Sequence, residues 1–66
     1  MQSPTRAHTA NESIARILEA ATALFAERGF HGVTTRQIAA AAGLNIATVH
    51  HHVGTKRELY RKVYLA

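Results

Sequence analysis

Cysteine and tryptophan are absent from this chain, and proline occurs once, at Pro4. Without cysteine, neither a disulfide nor a thiolate metal site can hold the fold together. Acidic residues are scarce, four against eight Lys+Arg, which leaves a formal charge of +4 and favours an anionic partner. Long apolar runs are missing too. The longest, Ile38 to Ala42, is far short of the roughly 20 residues that cross a bilayer. No apolar stretch follows the polar start Met1 to Arg6, as an export signal would require. These absences lead us to expect a soluble, cytoplasmic chain with no membrane contact. What is present is a 47% hydrophobic composition with only four glycines, which excludes a disordered tail or a linker. At 66 residues there is room for one small domain, and its stability must come from helix packing, a partner or a ligand.

The charge is unevenly placed. Up to residue 28, Arg6, Arg16 and Arg28 are balanced by Glu12, Glu19 and Glu27. Beyond it, Arg36, Lys56, Arg57, Arg61 and Lys62 face Glu58 alone, with His50, His51 and His52 as further chargeable groups. A charge run is often only a solvated face, but a one-sided excess is also what a phosphate-facing surface needs.

Residues 1–8 are small and polar and read as a mobile arm. Thr9 to Glu12 has the form of a capping box, a hydroxyl at the cap with a carboxylate three residues on. Ile14, Ile17, Leu18, Ala21, Leu24 and Phe25 then recur at steps of three and four, the stripe of an amphipathic helix over about 10–28 that ends at Gly29. Phe30 and Val33 anchor a short connection. Thr34 to Gln37 is a second capping box, opening a helix over about 35–42 that stops at Gly43. Its Ala39, Ala40 and Ala42 permit close approach of a neighbour. Asn45 is a good cap for a third helix, about 46–52, with Val49 and Val53 facing inward and Gly54 as its stop. Thr55 to Glu58 is a third box. It opens a fourth helix with Leu59, Tyr60 and Val63 on one side and no stop signal before Ala66. The expected fold is all-α: a three-helix bundle over 9–54 plus the start of a fourth helix, 55–66, leading into a C-terminal domain absent here.

Two short helices joined through Gly43 form the helix-turn-helix pattern, whose second helix fits the major groove of B-DNA. On a projection of about 100° per residue, Val49 and Val53 mark the buried side of the third helix. Ala47 and His51 lie opposite, with Thr48, His50 and His52 on the flanks. Ala47 can pack on a thymine methyl, and imidazoles can bond base edges or phosphates. Thr34, Thr35 and Lys56 sit at helix starts, where free N–H groups attract anions; capping alone is their plainer role.

Other functions fit less well. Consecutive histidines diverge by about 100° each, so His50 to His52 do not form a specific metal site. No nucleophile–base pair suggests an enzyme, and Ser3 and Ser13 read as arm and helix surface. No cofactor is expected. A helical protein-interaction module without DNA binding is the main alternative.

The runs Ile17 to Ala21, Leu24 to Phe30, Thr34 to Ala39, Ala42 to Leu44, Thr48-Val49 and Gly54 to Lys56 resemble the N-terminal DNA-binding domain of TetR-family transcriptional regulators. The resemblance spans about residues 12–63. It implies a homodimer, joined through the absent C-terminal domain, on a palindromic double-stranded operator. It usually also implies repression relieved by a small-molecule effector bound in that domain. By the same resemblance Arg36, Ile46, Ala47, His50 and His51 read bases, and Thr34, Thr35, Thr48, His52 and Lys56 lie on phosphates. The chain departs from the family pattern at Ile46, His50 and Val53, where Lys, Tyr and Phe are common.

Overall fold

The computed structural model describes residues 10–65. The arm at 1–8 and the Thr9 cap lie outside the described residues. Four helices follow one another: α1 (Ala10–Arg28), α2 (Thr35–Ala42), α3 (Ile46–Val53) and α4 (Lys56–Tyr64), with no strand among the described residues.

α1 is the central support. Ile17, Ala21 and Phe25 stand four residues apart and are buried to 0–3% exposure. Ser13, one turn before Ile17, belongs to the same ridge and is buried as well, at 5%. The reading of Ser13 as helix surface is therefore corrected: a ridge of steps of four carries whatever residue occupies the next step back. Among the described residues no buried side-chain nitrogen or oxygen lacks a partner, so this polar position carries no penalty. The core is completed by Val33, by Ile38, Ala39 and Ala42 of α2, by Val49 and Val53 of α3, and by Leu59 of α4. Ala40, expected to help close approach, faces solvent; Ala39 and Ala42 do that work.

The helix boundaries follow local chemistry. The Thr34 hydroxyl accepts from the Gln37 N–H at 3.1 Å, and the Gln37 carboxamide accepts from the Thr34 N–H at 3.0 Å. Thr55 and Glu58 repeat the exchange at α4, at 3.1 and 2.8 Å. Asn45 Oδ1 accepts from the Thr48 N–H at 2.8 Å and starts α3. At the end of α2, Gly43 takes φ 76°, ψ 29°; its N–H donates to Ala40 O and that of Leu44 to Ala39 O. This pair of reversed bonds satisfies carbonyls that a helix end leaves open, and it needs a residue tolerant of positive φ. α3 runs one residue beyond expectation, because Gly54 and not Val53 takes the positive φ.

One contact spanning the chain completes the α2–α3 turn. Arg16 Nε of α1 donates to Ala42 O at 3.0 Å, filling another open carbonyl at the end of α2. The guanidinium lies so near the turn that a Cβ at Gly43 would meet Arg16 Nη2 at 2.6 Å. Gly43 is thus required for its backbone angle, and a Cβ there would also oblige the end of the Arg16 side chain to shift.

Candidate nucleic-acid interface

The expected site residues come from three segments, which the fold holds at the start of α2, along α3 and at the start of α4. At α2, Thr34 is exposed and Thr35 half-buried, and Arg36 projects into solvent. Capping uses the Gln37 N–H, and the Ile38 N–H bonds Thr34 O at 3.2 Å. The N–H groups of Thr35 and Arg36 precede the first intrahelical bond and point out along the positive end of the helix dipole. A phosphate seated there would meet those groups and the two threonine hydroxyls.

α3 divides cleanly. Val49 and Val53 are buried at 0 and 4% exposure, whereas Ala47, His50 and His51 are exposed. Thr48 and His52 are half-buried on the flanks. Ile46 is only half-exposed, since part of its side chain packs against the core; a residue at this first helical position touches both surfaces.

His50 has a defined orientation. Its Nδ1 lies 3.0 Å from Gly54 O. A carbonyl only accepts, so this contact places the proton on Nδ1 and leaves Nε2 facing outward. Nε2 is then an acceptor on the neutral ring and a donor on the charged one. His51 and His52 pack edge to face at 5.2 Å. With Glu58, Arg61 and Lys62 of α4 these histidines line an open hollow beside α3. Among the described residues no group of three His, Cys, Asp or Glu could hold a metal ion.

Lys56 is held against the α1–α2 connection. It is half-buried, and its Nζ donates to Phe30 O at 2.7 Å and to Val33 O at 2.8 Å. The ammonium also lies 4.2 Å from the centroid of the Phe30 ring, within cation–π range. Sequence spacing could not reveal this, because the partners lie 23 and 26 residues away. Arg16 went unrecognised for the same reason.

A capped helix, a three-residue turn at 43–45 and a second helix with one buried and one open face define a helix-turn-helix protein. The chain belongs to the tetR family of bacterial regulatory proteins, whose family model matches residues 17–63. It is 50% identical over 48 residues to the HTH-type transcriptional repressor Rv3405c of Mycobacterium tuberculosis, covering 73% of this chain and 26% of that protein. It is 38% identical over 60 residues to the HTH-type transcriptional dual regulator CecR of Shigella flexneri, covering 91% of this chain and 26% of that one. Among solved structures, the HlyIIR mutant protein carrying a linker with two thrombin sites superposes with a TM-score of 0.83 at 32% identity, over 86% of this chain and 31% of that one. The chain thus spans about a quarter of the length of the curated relatives it matches. These relatives are named as regulators of transcription and not as enzymes. No described helix is long and apolar enough to cross a membrane.

Proposed function

We propose that this chain is the DNA-reading head of a transcriptional regulator, and that it grips duplex phosphates at helix starts while α3 lies in the major groove. The observation that carries this reading is the division of α3, with two valines sealed in the core and Ala47, His50 and His51 open to solvent. Thr34 and Thr35 hold one phosphate at the α2 start. Thr48 and His52 flank the groove helix on the backbone side, and the α4 start, with Lys56, lies on a further phosphate. Arg36, Ile46, Ala47, His50 and His51 read base edges. Such heads act in pairs: a homodimer joined through a further C-terminal domain would present two copies of α3 to a palindromic operator, and a small-molecule effector of that domain would control release. In that arrangement residues 9–54 form the reading domain, 55–66 begin the connection, and the setting is the cytoplasm.

Fluorescence anisotropy of the chain on a random-sequence duplex tests this directly. With about three or four phosphate contacts, affinity should fall roughly 40–150-fold between 50 and 200 mM salt. A chain that stays helical by circular dichroism yet binds no duplex at low salt would be a protein-interaction module instead. The histidines add a second test. Replacing His50 or His52 by alanine should weaken duplex binding, because both rings are proposed to meet the DNA. Unchanged affinity in both variants would move His50 and His52 away from the DNA.

A further inference from the structure

We infer that Lys56 is a positioning residue, serving DNA binding by fixing the phosphate-holding start of α2. The inference rests on the DNA-reading function proposed above. Lys56 is the first residue of α4, yet both of its main-chain partners belong to the α1–α2 connection. One of them, Val33, directly precedes the Thr34 cap, and its side chain is sealed in the core at 1% exposure. The tether therefore fixes the backbone one residue before the cap, from which the hydroxyls of Thr34 and Thr35 and the N–H groups of Thr35 and Arg36 project. An ammonium has three N–H donors. Two are committed to Phe30 O and Val33 O, and the Phe30 ring covers part of the charge. Swinging the ammonium out to a phosphate would leave both carbonyls without their donor and expose the ring. Giving up both bonds is costly, so the ammonium keeps the tether when DNA binds, and only its third N–H is open to an anion. Arg57, the next residue, is exposed and provides the contrast of a free cation on the same helical turn.

A double-mutant cycle separates the two roles. Thr35→Val should weaken duplex binding by the wild-type chain several-fold. In a Lys56→Met background the same change should cost less than about twofold, because the site it acts on has already lost its geometry. Arg57→Met should combine with Thr35→Val as an independent factor. In the free protein, hydrogen exchange at the Gln37 and Ile38 amides should quicken about tenfold in Lys56→Met, with the α1 amides unchanged. If Lys56→Met loses its helical signal, Lys56→Arg takes its place. It keeps the charge but presents a planar fork that does not reproduce the ammonium's two bonds. Positioning then expects a reduced Thr35 effect, and a phosphate ion pair expects near wild-type behaviour. Independent factors for Lys56 and Thr35, with unchanged α2 amides, would overturn the inference. A wild-type chain that binds no duplex would instead defeat the DNA reading, and the amide exchange would still decide whether the tether holds α2.

Discussion

Gly54→Ala is expected to lower the thermal midpoint of this chain by about 10 °C or more. Gly54 has φ 82° and ψ −139°, a region that side chains with a Cβ rarely enter. Forcing alanine there costs on the order of 1–3 kcal/mol. The added methyl would also meet the Glu58 carboxylate, Oε1 first. That oxygen accepts from the Thr55 N–H at 2.8 Å in the capping box of α4. The box must open to make room, adding about 1 kcal/mol. A domain of this size holds roughly 3–10 kcal/mol in total, and each kcal/mol shifts its midpoint by about 4–8 °C. Gly29→Ala controls for a positive φ alone: its φ is 78°, and nothing lies within 4 Å of where a Cβ would stand. Thermal melts of both variants by circular dichroism decide the matter. Equal losses would show that the Glu58 clash contributes nothing.

Arg36→Ala is expected to leave folding intact and weaken specific DNA binding by about 1–3 kcal/mol. The guanidinium is exposed on the first turn of α2, and no contact within the described residues engages it. It is therefore free to place its fork on the O6 and N7 atoms of a guanine, the commonest specific contact in the major groove. The loss should be confined to one or two base pairs. Competition binding against duplexes varied one position at a time reads this directly. Uniform weakening on every duplex would show that Arg36 touches phosphate and carries no sequence preference.

Helix identity and ends were legible because their causes are local. Thr34 with Gln37, Asn45 with Thr48, and Thr55 with Glu58 each act over three residues, and the structure forms all three. The buried ridge of α1 followed from periodicity, except that Ser13 extends it and polarity concealed the fact. Ala40 failed for the opposite reason: an alanine looks equally suited to either surface, and only the rotation of α2 against α1 decides. Arg16 and Lys56 were beyond sequence reasoning. Both reach carbonyls more than 20 residues away; Arg16 read in the sequence only as one of a balanced set of charges, and Lys56 as a helix-start contact for an anion. For the interface, spacing separated the inner and outer faces of α3 correctly. It could not foresee that Gly54 O would orient the His50 ring.

The separation within α3 bears on how such a head can change its target. Val49 and Val53 hold the helix in place, while Ala47, His50 and His51 contribute nothing to the sealed interior. Substitutions at those three outward positions should alter which operator is preferred at little expense to stability. New binding preferences can then be explored one residue at a time in a scaffold that goes on folding. The same freedom does not extend to Ile46, which is wedged partly into the core and ties any change of reading there to a change of packing.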